Sequence, residues 1–213
     1  EPIDPIAPRP VGLREEKRIV LEDRVQLPRL YMAWVTPADF APGDAALDAV
    51  AGVLAGGKNS RLYKRLVYEL QVAQDVSAGQ GSQGLASTFQ VVVTAPSGHK
   101  LEEIRRLVDE EIARLQTAPP SERELQRFQN QTEAPFFDRL ERVGGFGGKA
   151  DQLNLYYFRT GDPHYIKEGL ARYRALGPSD VQAVAFKFLG PGRVLISVVP
   201  EGKKELAVAE VTK

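Results

Sequence analysis

The sequence predicts an α+β domain in which an antiparallel sheet carries helices on one side. Segments with strand composition come in consecutive pairs, and blocks of helical periodicity separate them, without the regular strand-helix alternation that produces a parallel sheet. Of the 213 residues, 43% are hydrophobic and 26% are charged. This composition supplies a sizeable apolar core and excludes a disordered chain.

The first predicted elements are two strands, at residues 18–22 and 30–36. Both segments are rich in β-branched, aromatic and other apolar residues. Pro28 and Pro37 stand at the borders of the second segment, where breaker residues are expected.

A helix and a shorter helix follow. Apolar residues recur at helical spacing over residues 47–54, after the Pro-Gly-Asp of 42–44 and before the Gly-Gly of 56–57. Paired glycines are typical of a helix C-terminus. We expect the second, shorter helix over about residues 60–70.

Two further strands are predicted at residues 73–79 and 85–95, with a glycine-rich hairpin loop over 79–84. Alternate residues of a strand point to the same face of its sheet. One face of the second strand would therefore carry Leu85, Ser87, Phe89, Val91 and Val93.

The remaining chain is mostly helical. Apolar residues at helical spacing over 101–115 predict an amphipathic helix that ends at Pro119-Pro120. Ser121 and Glu124 have capping-box spacing and predict the next helix. Pro135 should kink or end that helix before Phe136-Phe137, because proline removes a helical hydrogen bond.

Three more helical segments are predicted near residues 149–159, 165–176 and 179–189. Ser179 and Gln182 have capping-box spacing, which indicates the start of the last of them. A final strand is predicted at residues 193–199.

Charge and cysteine content exclude several classes of function. The 28 basic and 28 acidic residues cancel, so no global field favours nucleic acid or an anionic membrane. The absence of cysteine excludes disulfides, thiolate metal sites and a cysteine nucleophile. Charges or glycines interrupt every apolar run within about ten residues, whereas a membrane span needs about 20.

The N-terminal segment predicts attachment to another part of a protein. The chain opens with Glu1, without a charged and then apolar leader, and prolines recur at positions 2, 5, 8 and 10. Such spacing is typical of a semi-rigid linker. We therefore expect residues 1–14 to be an interdomain linker, residues 15–213 to form a single domain, and the chain to be a piece of a longer protein.

Several motifs in series resemble one family. Residues 56–66, Gly-Gly-Lys-Asn-Ser-Arg-Leu-Tyr-Lys-Arg-Leu, are similar to the Gly-Gly-x-x-Ser-Arg-Leu-Tyr segment of the M16 metallopeptidases, which include pitrilysin, insulin-degrading enzyme and the mitochondrial processing peptidase. Residues 148–153, 161–165 and 176–181 resemble later parts of an M16 domain in the expected order. The resemblance implies the same α+β architecture.

The resemblance also implies which chemistry this chain lacks. Active M16 halves carry His-x-x-Glu-His on their first helix, where two histidines bind zinc and the glutamate is the general base. The equivalent segment here, residues 44–50, contains no histidine. The two histidines of the chain, His99 and His164, stand apart in predicted turns. We therefore expect no metal in this chain and expect zinc in a partner half.

A second family feature falls on substituted positions. In active enzymes the half without zinc supplies an arginine and, seven residues later, a tyrosine that stabilise the oxyanion. In this sequence the resemblance places them at Val67 and Gln74. Valine has no donor and glutamine offers only a neutral amide. Using Arg65 and Tyr68 instead would break the spacing, so no catalytic residue is assigned.

Other motifs favour structural interpretations. The glycines of 144–148 lack the spacing of a dinucleotide-binding loop and indicate a hinge or a close-packed corner. Residues 97–100 match Ser-x-x-Lys without the Lys-Thr-Gly that would accompany it in an enzyme.

The predicted function is that of a catalytically silent M16 half, which holds extended peptide in a chamber and docks to a zinc-bearing half of the same or a companion chain. The alternative is a purely structural protein comparable to the respiratory-complex core subunits that resemble M16 domains. A freestanding enzyme of other chemistry is disfavoured, because no nucleophile and base are paired. Family resemblance favours a periplasmic or secreted bacterial location, with a cytoplasmic one as the alternative.

Overall fold

A five-stranded sheet organises the domain in the computed structural model, which describes residues 12–209. Most of the predicted linker, residues 1–14, lies outside the described residues. The strands are β1 (Lys17–Asp23), β2 (Arg29–Thr36), β3 (Asp75–Gly81), β4 (Ser87–Thr94) and β5 (Val194–Pro200), in the spatial order β1-β5-β2-β4-β3.

The predicted α+β architecture is confirmed, and the sheet adds one feature that the strand pattern did not predict. β2 pairs antiparallel with both β4 and β5, and β3 pairs antiparallel with β4. β1 pairs with β5, and this pair is parallel. The first two strands still run in opposite directions, but β5 lies between them because the last segment of the chain returns to the sheet at that position.

One face of the sheet forms the floor of the core. Leu30, Met32 and Trp34 of β2 alternate with more exposed residues and are almost completely buried. Trp34 lies opposite Phe89 of β4 with the two rings edge to face, and its indole N–H donates to the Gly190 carbonyl oxygen at 2.8 Å. This bond satisfies the one polar atom of the ring inside an apolar core.

The predicted position of Leu85 on the buried face is wrong. β4 begins only at Ser87, so Leu85 belongs to the preceding loop and is half-exposed. The other four residues predicted for that face, Ser87, Phe89, Val91 and Val93, are buried.

Helices pack against the apolar face of the sheet and against one another. They are α1 (Asp44–Ala55), α2 (Leu101–Thr117), α3 (Glu122–Glu141), α4 (Lys149–Thr160), α5 (Ile166–Arg174) and α6 (Pro178–Phe188). α1 packs on β3, α6 packs on α1 and α2, and α3 crosses α1. The crossing is close, since a Cβ on Gly52 of α1 would lie 2.5 Å from the Phe128 ring of α3.

Of the two predicted capping boxes one is present, and Pro135 does not end its helix. The Ser121–Glu124 capping box is present, with the Ser121 N–H donating to the Glu124 carboxylate at 2.8 Å. The predicted Ser179–Gln182 box is wrong: α6 begins at Pro178, and the Gly177 N–H donates to Asp180 at 2.8 Å. Pro135 does not end α3, which continues to Glu141.

The continuation of α3 through its proline has a physical reason. A proline removes only one hydrogen bond, that to the carbonyl four residues earlier. Here that carbonyl belongs to Gln131, an exposed residue, so water can satisfy it. Phe136 packs in the protein directly after the proline and holds the helix in place.

The predicted short helix at 60–70 is wider than an ordinary α-helix. It is a π-helix over Tyr63–Glu69, and the Leu70 N–H donates to the Arg65 carbonyl five residues earlier at 3.0 Å. Gln71 follows with a positive φ of 52°, which turns the chain toward β3. π-helical turns are rare and often lie near functional sites.

Candidate functional site

The two positions to which the family resemblance assigns the missing donors, Val67 and Gln74, lie in the π-helix and just after it. Val67 lies in the π-helix, half-buried and packed against the core. Gln74 is exposed immediately before β3, and its backbone N–H donates to the Thr94 carbonyl at 2.8 Å. Val67 offers no polar atom, and the Gln74 amide is a neutral donor, so neither can supply the charge of an arginine.

The neighbouring arginine, Arg65, already forms ion pairs within the domain. Arg65 forms ion pairs with Glu110 and Glu111 of α2, the latter at 2.8 Å, and Glu111 is buried. Removing one partner of a buried pair is costly because the other charge stays unpaired. Arg65 therefore fastens the π-helix to α2. Tyr68 points to solvent with 72% of its surface exposed.

The motif that resembles the M16 family builds this corner of the fold. The buried Ser60 hydroxyl donates to the Gly57 carbonyl at 2.6 Å. Arg61 donates twice to the Glu124 carboxylate, at 2.7 and 3.0 Å, and Leu62 is fully buried in the core. The motif thus joins the turn after α1 to the first turn of α3.

A network of charges surrounds the N-terminus of α1, the helix on which the family resemblance would place the zinc motif of an active half. Asp44 is completely buried. Its carboxylate accepts hydrogen bonds from the Ser82 hydroxyl at 2.6 Å, the Phe40 N–H at 3.2 Å and the Gln80 amide at 3.3 Å. The Arg172 guanidinium of α5 lies 3.2 Å away and neutralises the charge.

Asp48 lies one turn further along the same helix. It accepts a hydrogen bond from the Tyr173 hydroxyl at 2.8 Å. Burial raises the pKa of Asp48 to about 6, and the nearby Asp44 charge adds to this, while the bond from Tyr173 opposes it. The same surroundings raise the pKa of Tyr173, chiefly through burial.

These carboxylates do not form a metal site. Among residues 12–209, no group of three or more histidine, aspartate or glutamate side chains is arranged to hold a metal ion. Asp39, the third carboxylate near α1, lies 3.3 Å from Arg159. His99 precedes α2, and His164 is almost fully exposed beside Asp162.

A cleft of about 390 Å³ opens next to this network, between α1, α3 and β3. Phe128 and Gly52 form its apolar part, and Asp48, Gln80 and Tyr173 give it a polar side. β3 is the last strand of the described sheet, so one of its edges has no strand neighbour among residues 12–209. The cleft and this edge are therefore adjacent.

The sequence carried only part of the signal for the network. Asp44 and Asp48 have the i, i+4 spacing that places both on one side of a helix. Their partners Arg172 and Tyr173 lie more than 120 residues further along the chain, and only the fold brings them together. No motif in the sequence marks such a pairing.

Within the described residues, no helix has the length and apolarity required to cross a membrane.

Solved structures of similar fold come from several bacteria. A peptidase M16 inactive domain from Pseudomonas fluorescens has a TM-score of 0.77 at 17% identity, over 96% of this chain and 47% of that one. A protease from Helicobacter pylori has a TM-score of 0.76 at 21% identity, over 89% and 44%. The inactive peptidase domain of a putative zinc protease from Bordetella parapertussis has a TM-score of 0.72 at 20% identity, over 84% and 96%.

The chain thus spans less than half the length of the first two structures and nearly all of the third. None of the curated proteins compared with it matches. The family model described as the peptidase M16 inactive domain matches residues 2–132, which is more than half of the sequence. The chain therefore belongs to the M16 peptidase family and is an inactive domain of that family.

Proposed function

We propose that this domain is the silent half of an M16 peptidase chamber, docking to a zinc-bearing half and holding extended peptide. The observation that carries the proposal is the state of the first helix. Asp44 stands on the helix that holds zinc ligands in active halves, and its carboxylate is buried and fully engaged by internal donors. A fold that stays intact where the zinc ligands of an active half are missing supports an architectural role.

The edge of β3 supports peptide holding. Ser77, Gly79 and Gly81 are exposed and small, so a peptide backbone can approach the strand closely. A peptide that pairs with this edge would extend the sheet by one strand. Its side chains would then lie beside the cleft that Asp48 and Gln80 line.

A second candidate, a purely structural role, is favoured by exposed aromatic residues. Phe146 is fully exposed in the loop before α4, and Tyr157 and Phe158 of that helix are largely exposed. Large exposed apolar side chains are typical of contacts between proteins. Such contacts serve a scaffold as well as a chamber.

The proposal includes a partner, a location and a boundary. The zinc-bearing half would come from the same or a companion chain, with residues 1–14 as the linker between domains and residues 15–213 as the docking unit. A periplasmic or secreted location is supported by a periplasmic protease of Escherichia coli, PqqL, which has a similar fold at 14% identity and a TM-score of 0.68.

Mixing the chain with the zinc-bearing M16 domain of its parent protein tests the proposal. We expect a complex by calorimetry or light scattering at tens of micromolar, roughly the weak limit for a contact assisted by a linker. We also expect peptide hydrolysis by the pair and none by the chain alone. Association without hydrolysis would favour the structural role, and no association would exclude the two-half chamber.

A further inference from the structure

We propose that a second, basic cleft binds a multiply charged oxyanion of the phosphate class. This cleft of about 560 Å³ lies between the turn after α1 and the first turns of α3. Its walls carry four cations, Arg61, Lys64, Arg123 and Arg127, and one carboxylate, Glu124. The inference is independent of the peptidase proposal, because none of these side chains belongs to the peptide-holding edge.

The single carboxylate of the cleft is already used. Both Glu124 oxygens accept from Arg61, and the carboxylate also accepts from Ser121 in the capping box. The Arg61–Glu124 pair therefore leaves no carboxylate charge to balance the other cations of the cleft. Lys64, Arg123 and Arg127 form no ion pair with any residue in 12–209, so the cleft has an excess of three positive charges.

Arg127 supplies the more specific observation. Its Nε and Nη2 atoms are buried, and no acceptor within residues 12–209 hydrogen-bonds to them. Buried donors without partners are costly, and both atoms are covered in this conformation, so a phosphate would pair with them after a side-chain shift of the partly buried Arg127. The described part of the chain supplies no such oxygens to these two atoms.

The surroundings favour a ligand larger than a single halide. Arg123 and Arg127 also border a second depression of about 550 Å³, whose other walls include the amides of Gln126, Asn130 and Gln131. Amides donate to anionic oxygens and accept from hydroxyl groups. The two arginines can therefore hold a phosphate group while the amides contact what is attached to it.

Isothermal titration calorimetry with sodium pyrophosphate at fixed ionic strength tests the assignment. We expect one-to-one binding with a dissociation constant below about 1 mM. The double variant Arg123→Gln with Arg127→Gln should bind at least about tenfold more weakly, because it removes two charge-assisted contacts. The matched control is Arg139→Gln, an exposed arginine on the same helix outside the cleft, which should bind within about twofold of the parent.

A second variant protects the test against misfolding. Lys64→Gln with Arg123→Gln changes only exposed side chains and should also weaken binding severalfold while leaving the circular dichroism spectrum unchanged. Absence of pyrophosphate binding, or equal binding by the parent and both double variants, would overturn the proposal. Binding of citrate without binding of pyrophosphate would overturn the phosphate assignment.

Discussion

At the scale of single residues, Asp48 links the charge network to the stability of the fold. The folded protein raises its pKa from 3.8 to about 6, chiefly by burial, so the folded state holds its proton over a range where the unfolded chain has lost it. The stabilisation that comes from the Asp48 proton in the folded state is fully present below about pH 4 and is lost as pH rises through about 6.

Asp48→Asn should therefore stabilise the domain at alkaline pH. The neutral amide resembles the protonated acid, and its oxygen can still accept from Tyr173. We expect a gain of about 1–3 kcal/mol at pH 8 and almost none at pH 4, measured by urea unfolding. Asp75→Asn, at an exposed aspartate, is the control and should leave the pH dependence unchanged. Equal gains at both pH values would contradict the burial argument.

Gln71 carries backbone strain. Its φ of 52° lies in the left-handed region, which costs a side chain with a Cβ roughly 1 kcal/mol or more, and its side chain is exposed. Gln71→Gly should raise the free energy of unfolding by about 0.5 kcal/mol after the added entropy of the unfolded chain is counted. Gln74→Gly, at ordinary φ, should lower it. If both variants lose stability equally, Gln71 is not strained in solution.

At the scale of elements, the Arg61–Glu124 pair joins the segment between α1 and the π-helix to the first turn of α3. Both side chains are about four-fifths buried, and the ion pair is bidentate. The Arg61 guanidinium, with help from the capping Ser121, lowers the pKa of Glu124 from 4.5 to about 2. The stability from this carboxylate is present above about pH 4.5 and is lost as pH falls toward 2.

Glu124→Gln tests this junction between elements. The glutamine still reaches the Ser121 N–H, so the change removes mainly the charge. We expect a loss of about 1–2 kcal/mol at pH 7, after allowance for partial exposure to solvent, and convergence with the parent near pH 2. Glu122→Gln, an exposed neighbour, should cost at most about 0.5 kcal/mol. A double-mutant cycle with Arg61→Met should show coupling of similar size to the single loss.

The elements also show how far local pattern reaches. Period and capping chemistry act over a few residues, so the strands, the helices and the Ser121–Glu124 box were predictable. The insertion of β5 beside β1 depends on packing between segments 177 residues apart, and no local pattern encodes it. The start of α6 was misjudged because the helix cap lies two residues before that of the predicted Ser179–Gln182 box, where the Gly177 N–H donates to the Asp180 carboxylate.

At the scale of the whole molecule, the family motifs and the catalytic positions follow different constraints. Ser60, Arg61 and Leu62 could be recognised in the sequence because they build a corner of the fold. The register that places family donors at Val67 and Gln74 stays a prediction, since a second domain would be needed to complete the site. The basic cleft around Arg127 could not be predicted, because α3 and the turn after α1 meet only in the folded chain.

Restoring the donors at Val67 and Gln74 is the strongest test of that register. In an assembly of this domain with a zinc-bearing half, Val67→Arg with Gln74→Tyr should raise peptidase turnover by about tenfold or more, because charged and phenolic donors stabilise an oxyanion. The gain should appear mainly in kcat, since the negative charge develops in the transition state. Val67→Leu with Gln74→Phe is the matched control, which adds bulk without donors. If both pairs assemble but neither raises kcat, either the register is wrong or this domain stands away from the scissile bond.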